Sequence, residues 1–187
     1  MITFVATAYN EKHESYQFIS SLILQSDPRW KCIVFCDGPN QYIKDSVSFF
    51  NDDRITLVEN VTPKGKWGHY NRKVALETLV DTKFIIQTSI QDYYTPNAVS
   101  EILMVPDEYD FIYYNSLHNH YQHAVLYTVP IVDRIDWGCF AIKTDIAKQV
   151  GINNVSSERC DGLFVQDCFK IPNLSSYKIN KILTVHN

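Results

Sequence analysis

Residues 2–11 read ITFVATAYNE, a short apolar run that ends in polar residues. The run Ile2–Ala8 is rich in β-prone side chains, which indicates a buried β-strand. Residues 14–25 follow with apolar side chains at helical spacing. The chain therefore begins as a strand followed by a helix, with the polar residues 9–11 at the point where the strand ends.

The same alternation of strand and helix patterns continues along the chain. Nearly continuous apolar strands separated by helices are typical of sheets that are covered on both faces. We therefore predict an α/β fold with a mainly parallel mixed sheet and helices on both faces. The predicted strands after the first are 32–36, 54–59, 83–88, 110–115, 139–142 and 177–185. The predicted helices after the first are 41–50, 70–80, one that starts at Pro96, 144–150 and 163–169.

The composition is that of an ordinary globular protein. The 187 residues are 45% hydrophobic and 20% charged, and because no linker-like segment divides them we expect one domain over residues 1–187. The net charge of 17 − 21 = −4 argues against a broad nucleic-acid surface. No apolar run reaches the ~18 residues of a membrane span, and the first residues lack a signal-peptide pattern. Five cysteines without a CxxC pair favour reduced, buried thiols, so we expect a soluble cytoplasmic protein.

Polar residues follow three of the predicted strands. In an open α/β sheet, ligands bind beyond the carboxyl ends of the strands. This rule predicts that residues 9–11, Asp37 and residues 89–92 lie near one crevice. Asp37 also begins the sequence DGPN, which is favourable turn chemistry, so a purely structural role for this residue stays open.

Three groups of motifs stand in a fixed order along the chain. They are ATAYNE at 6–11, QSDPRW with CIVFCDG at 25–38, and GHYNRKVAL with QDYYTP between 68 and 96. Together they resemble the family 2 glycosyltransferases with a GT-A fold, best over residues 1–105. The resemblance implies transfer of a sugar from a nucleoside diphosphate donor, with residues 1–105 binding the nucleotide-sugar and residues 106–187 on the acceptor side.

The resemblance implies a nucleoside pocket at the ends of the first two strands. Thr7, Ala8, Tyr9 and Glu11 would line it. Asp37 would accept hydrogen bonds from the base, usually uracil, so a UDP-sugar is the expected donor.

The resemblance also implies a diphosphate site near Gly68 and Arg72. Backbone N–H groups of a helix beginning near residue 69 or 70 would favour the phosphates. Lys64 and Lys66 supply further cations, although a solvated basic loop explains them equally well.

The family usually holds a divalent cation with an Asp-x-Asp followed by another acid. Here Ser89 and Gln91 occupy the two Asp-x-Asp positions, and Asp92 is the following acid. Because hard cations prefer charged oxygen ligands, we expect Mn²⁺ or Mg²⁺ on Asp92 with a second ligand, or protein cations in place of the metal. His186 is the candidate second ligand, and a terminal histidine without a role is the alternative. Gln91 stays in the donor site.

The family's catalytic base is an acid that follows the metal motif, at the start of a helix. Asp161 matches that place, and Asp167 and Glu158 are the rivals. A carboxylate there would take the proton of the acceptor hydroxyl in an inverting transfer. Asp161 could also serve only as a helix N-cap.

Further side chains permit other readings. His118, His120 and His123 lack the cysteine or carboxylate partners of a zinc site, so we interpret them as a surface loop. Four aromatic residues could stack on a base or sugar ring, or only pack. They are Trp67, Tyr93, Tyr94 and Trp137.

The sequence therefore predicts an inverting glycosyltransferase that uses a UDP-sugar and an unidentified hydroxyl acceptor, and leaves both a monomer and a homo-oligomer open. The altered Asp-x-Asp keeps a second hypothesis open, namely a catalytically silent relative that binds a nucleotide-sugar or a glycan.

Overall fold

The computed structural model describes residues 1–119 and 122–187. Within this part of the chain, nine strands form one sheet in the order β3-β2-β1-β4-β8-β6-β9-β5, with β7 paired to β6. The strands are β1 Ile2–Ala8, β2 Trp30–Cys36, β3 Ile55–Glu59, β4 Phe84–Ser89, β5 Tyr93–Tyr94, β6 Phe111–His118, β7 Ala124–Leu126, β8 Phe140–Lys143 and β9 Ser176–His186. The helices are α1 Glu14–Ile23, α2 Gln41–Phe50, α3 His69–Thr78, α4 Ala98–Leu103, α5 Thr144–Val150 and α6 Cys160–Cys168.

The first half of the sheet is parallel. Strand β1 pairs in parallel with β2 on one side and β4 on the other, and β2 pairs in parallel with β3. Every residue of β1 is buried, as expected for a strand covered on both faces. The carboxyl ends of β1, β2 and β4 therefore meet at one edge of the sheet.

The second half is mixed. Strand β8 runs antiparallel to both β4 and β6, whereas β9 runs parallel to β6. The last strand thereby brings His186 to the same edge as the ends of β1 and β4. The predicted mixed α/β sheet is confirmed.

Helices cover both faces of the sheet, as predicted. One core packs the apolar residues of α1, α2 and α4 on one face, and a second core packs those of α3, α5 and α6 on the other. Because successive residues of a strand point to opposite faces, Phe4 and Ala6 enter the first core and Val5 enters the second.

Two predicted helix starts are wrong. Helix α4 begins at Ala98 with Asn97 as its N-cap, so Pro96 precedes the helix. Helix α6 begins at Cys160 with Arg159 as its N-cap, so Asp161 lies inside the first turn and does not cap the helix. The sequence predicts a start at residue 163 because Asp161 and Gly162 are poor helix formers, so the first turn of α6 carries no helix signal of its own.

All five cysteines are buried. Burial, the largest cause, raises the pKa of the Cys36 thiol to about 12. In residues 1–119 and 122–187, no helix combines the length and the apolar character that crossing a membrane requires.

Candidate functional site

A cleft of about 720 Å³ opens at the carboxyl ends of β1, β2 and β4. This volume lies in the range of small-molecule sites. Lys64 and Lys66 are not among the residues that line it, but the eleven other residues that the sequence predicted for the donor, the metal and the base are. They are Thr7, Ala8, Tyr9, Glu11, Asp37, Gly68, Arg72, Gln91, Asp92, Asp161 and His186.

The end of β1 forms one wall of the cleft. The backbone N–H of Tyr9 donates to Glu11 Oε2 over 2.6 Å, and Gln91 Nε2 donates to Glu11 Oε1 over 3.1 Å. Glu11 therefore links the loop after β1 to the loop after β4. The Tyr9 ring is largely exposed beside this wall.

Asp37 is buried at the end of β2 and organises the neighbouring loop. Its Oδ1 accepts hydrogen bonds from Asn60, Asn71 and the Lys64 backbone, and its Oδ2 accepts one from the Gly65 backbone over 2.7 Å. Burial alone would raise the pKa of Asp37, but these hydrogen bonds lower it. Asp37 is thus an ionised acceptor whose Oδ2, with one donor in the described residues, has capacity for a further one.

The loop held by Asp37 leads into a left-handed turn. Residues Gly65, Lys66, Trp67 and Gly68 all have positive φ angles. Left-handed conformations cost non-glycine residues about 1–2 kcal/mol each, and such strain is concentrated at functional sites. The turn leaves the Trp67 ring half-exposed at the rim of the cleft.

Arg72 is buried beneath this turn. Its guanidinium donates to the Trp67 carbonyl and to the Thr88 carbonyl, both over 2.8 Å. Burial lowers the pKa of Arg72 to about 10, although the charges of Asp92 and Asp161 oppose the shift. Arg72 therefore stays a cation at neutral pH and fixes the turn against the end of β4.

Asp92 and His186 meet on the cleft wall, although 94 positions separate them in the sequence. His186 Nδ1 lies 2.7 Å from Asp92 Oδ1, and Asp92 Oδ2 accepts hydrogen bonds from Thr88 Oγ1 and the Ser89 backbone. Burial would lower the pKa of His186, but the hydrogen bond and charge of Asp92 raise it.

A carboxylate oxygen and an imidazole nitrogen side by side fit a divalent cation in part. In residues 1–119 and 122–187, no group of three or more His, Cys, Asp or Glu side chains has the arrangement of a metal site. Because Ser89 and Gln91 supply no carboxylates, oxygens from a bound diphosphate or water would have to complete the coordination of a cation at Asp92 and His186.

Asp161 lines the same cleft as Asp37. Burial, the largest cause, raises the pKa of Asp161 to about 6, and the charge of Asp136 adds to the shift. The Gly162 backbone and Arg72 act in the opposite direction. Of the two rival acids, Glu158 also lines the cleft, whereas Asp167 pairs with Lys170 and is not among the lining residues.

The structure brings in residues that the sequence did not single out. His69, Asp136 and Gly138 line the cleft. His69 was recognised only as a possible helix start, because a histidine after glycine carries no signal of a role. His118 Nε2 lies 3.1 Å from Asp136 Oδ2, and Nδ1 of His123 lies 3.1 Å from Asn119 Oδ1. The third histidine of that segment, His120, lies outside the described residues.

The four aromatic candidates divide into two pairs. Trp67 and Trp137 line the cleft, whereas Tyr93 and Tyr94 line a smaller neighbouring pocket. Tyr94 is buried edge-on against Phe4, with ring centroids 4.9 Å apart, so it packs in the core.

Several solved structures have a similar fold over almost the whole length of this chain. The crystal structure of S. aureus TarS 1-349 has a TM-score of 0.80 at 14% identity, and the match covers 100% of this chain and 60% of that one. The crystal structure of S. aureus TarS 1-349 in complex with UDP-GlcNAc has a TM-score of 0.80 at 14% identity, and the match covers 98% of this chain and 57% of that one. The mannosyltransferase PcManGT from Pyrobaculum calidifontis, in complex with GDP-Man and Mn²⁺, has a TM-score of 0.77 at 13% identity, and the match covers 99% of this chain and 56% of that one.

These likenesses establish the GT-A-like fold. This chain spans about 60% or less of the length of the neighbours. No protein-family model matches the sequence, and a search of curated proteins finds no match. The assignment to family 2 therefore stays a prediction.

The packing of Gly68 gives a direct test of the site. Gly68 and Gly65 both have positive φ, but a Cβ on Gly68 would lie 2.7 Å from Cβ and Oγ1 of Thr7, whereas a Cβ on Gly65 would meet nothing within 4 Å. We expect Gly68→Ala to lower the free energy of unfolding by about 3 kcal/mol, measured by urea denaturation, because the contact with Thr7 adds to the cost of about 1 kcal/mol for an alanine in the left-handed region. A loss of only about 1 kcal/mol would contradict the close approach of the turn to β1.

Proposed function

We propose that this chain is a glycosyltransferase that moves a sugar from a nucleoside diphosphate donor, a UDP-sugar, to an acceptor hydroxyl with inversion. One observation carries the proposal: in a GT-A-like fold, a single cleft is lined by residues predicted for the nucleoside, the diphosphate and the base. The complexes of the neighbours with UDP-GlcNAc and GDP-Man support a nucleotide-sugar donor. We further propose that residues 1–187 act as one catalytic domain.

The nucleoside end of the donor would lie against Thr7, Ala8, Tyr9 and Glu11. The ionised Asp37 Oδ2 would accept the imide N–H of uracil, because a carboxylate suits a donor group on the base. The diphosphate would lie near Arg72, whose positive charge favours an anion in this partly dehydrated cleft.

Asp161 would act as the general base. Its carboxylate would take the proton from the acceptor hydroxyl while that oxygen bonds to the anomeric carbon, and the bond from that carbon to the diphosphate oxygen would break. UDP then leaves with the electron pair of the broken bond. A pKa raised to about 6 suits this role, because the base is ionised at neutral pH yet accepts a proton more readily than an ordinary aspartate.

Asp92 and His186 would hold a divalent cation, Mn²⁺ or Mg²⁺, together with the donor phosphates. The cation would supply positive charge for the departing diphosphate. The Mn²⁺ in the mannosyltransferase neighbour supports this part of the proposal. Imidazole beside carboxylate favours Mn²⁺ over Mg²⁺.

The alternative is a silent relative that binds a nucleotide-sugar without transferring it. Ser89 and Gln91 in place of carboxylates favour this alternative, as do the hydrogen bonds that engage both oxygens of Asp92 within the protein. In either case the five buried thiols support a reducing compartment such as the cytoplasm.

Native mass spectrometry of the protein with a mixed pool of UDP- and GDP-sugars tests the function. We expect a UDP-sugar to be retained, with slow release of UDP in Mn²⁺. Retention without transfer or hydrolysis would favour the silent relative. A protein that retains no nucleotide or nucleotide-sugar would contradict both the transferase and the nucleotide-sugar-binding relative, and would leave only a relative that binds a glycan.

The variant Asp161→Asn is expected to keep the Kd for the UDP-sugar and to lower kcat by about 10²- to 10⁴-fold, because it removes the general base. The wild-type rate should fall as the pH drops below about 6, since Asp161 is inactive when protonated. Asp167→Asn, on the same helix, is the matched control and should keep the rate. A wild-type rate in Asp161→Asn would show that the base is another group, and Glu158→Gln would then be examined.

The variant Asp92→Asn is expected to weaken the Mn²⁺-dependent part of UDP-sugar binding by about 10- to 100-fold, measured by titration calorimetry with Mn²⁺ and with EDTA. Binding should weaken because the variant lacks the carboxylate that would hold the cation. Asp81→Asn changes an exposed acid that faces Lys31 and serves as the control. Unchanged affinity in Mn²⁺ would remove Asp92 from the metal site.

A further inference from the structure

Three residues on one wall of the cleft carry buried hydrogen-bonding atoms that lack a hydrogen-bond partner in the described part of the chain. These atoms are both ring nitrogens of His69, Nε1 of Trp137 and Nε of Arg72. The Ser157 backbone is close enough to His69 to raise the pKa of its ring, but the two groups do not meet the geometry of a hydrogen bond. Buried polar groups are almost always paired, so these unpaired atoms, in residues that line the cleft, call for a partner from outside the chain, either a bound ligand or water.

The three residues form a continuous surface. The ring centroids of His69 and Trp137 lie 6.2 Å apart, and the Arg72 guanidinium carbon lies 5.7 Å from the centroid of the Trp137 ring. His69 is 4% exposed and Trp137 is 6% exposed. Both residues line the cleft, although most of their surface is buried.

The chemistry of this wall suits hydroxyl groups. Burial and then the charge of Arg72 lower the pKa of His69 to about 4, so at neutral pH its ring is uncharged, with one nitrogen donating and the other accepting. The Trp137 indole supplies a donor and an apolar face. A hydroxyl can both donate and accept, so it can pair with either nitrogen of the uncharged His69 ring and with the Trp137 indole.

The position of the wall selects among hydroxyl compounds. In the proposed function the diphosphate lies near Arg72, and the transferred sugar is bonded directly to it. His69 and Trp137 are lining residues that continue from Arg72, so they offer a surface for the group next to the diphosphate. The half-exposed Trp67 ring, 6.1 Å from His69, extends the apolar part of this wall.

We propose that His69 and Trp137 form the subsite for the transferred sugar, with His69 hydrogen-bonded to one of its hydroxyls and determining which sugar is accepted. This inference rests on the proposed function, because it requires a nucleotide-sugar donor. The sugar is a pyranose or a ring of similar size, with hydroxyls on one edge and an apolar face.

Titration calorimetry with UDP and with the UDP-sugar that the wild-type protein retains tests this inference. We expect His69→Phe to raise the Kd of the UDP-sugar by about 3- to 10-fold and to change the Kd of UDP by less than about 2-fold. His69→Asn keeps a donor and an acceptor and should restore part of the loss. His13→Phe, an exposed histidine next to Tyr42, is the matched control and should leave both affinities unchanged.

Trp137→Phe removes the indole donor and part of the ring system but keeps an aromatic ring in the wall. It should also raise the Kd of the UDP-sugar more than the Kd of UDP. This variant replaces His69→Phe in the test if circular dichroism shows that His69→Phe does not fold. Equal shifts for UDP and UDP-sugar would make His69 a structural residue, and no shift for either would exclude it from the site. A change confined to the KM of the acceptor would assign the wall to the acceptor. Each of these results overturns the proposal, whereas absence of any nucleotide binding by the wild-type protein overturns the proposed function instead.

Discussion

The arrangement of the cleft depends on the buried guanidinium of Arg72. A buried charge costs several kcal/mol unless it is well paired, and here it donates to the carbonyls of Trp67 and Thr88. These two bonds tie a left-handed turn to the end of a central strand. The same turn is held at its other end by Asp37, which accepts the backbone N–H groups of Lys64 and Gly65. A buried cation and a buried anion thus fix one loop from its two ends.

This constraint separates the acids of the cleft by environment. Asp37 receives hydrogen bonds that keep it ionised, whereas Asp161 is buried with fewer donors and has a pKa raised to about 6. Acids with different pKa values in one cleft are the arrangement that supports distinct roles in binding and proton transfer. Asp92 has a third environment, because it accepts hydrogen bonds from Thr88 and the Ser89 backbone and pairs with His186.

Much of the fold could be predicted because its signals are local. The apolar run Ile2–Ala8 and the strands after it alternate with helices, and this pattern alone indicates a covered α/β sheet. The first turn of α6 was missed because Asp161 and Gly162 are poor helix formers. The role of Asp37 in ordering the loop was also missed, since its partners Asn60 and Asn71 lie 23 and 34 positions away along the chain.

The sequence by itself determined the fold class and which polar residues end the early strands, because strand ends and turns depend on neighbours a few positions apart. Only the tertiary structure decided that His186 meets Asp92, that His69 and Trp137 share a wall, and that Asp161 is buried enough to hold a raised pKa. Contacts of this kind depend on the register of distant strands and on burial. Both are set by how the whole sheet packs, and no local pattern records them.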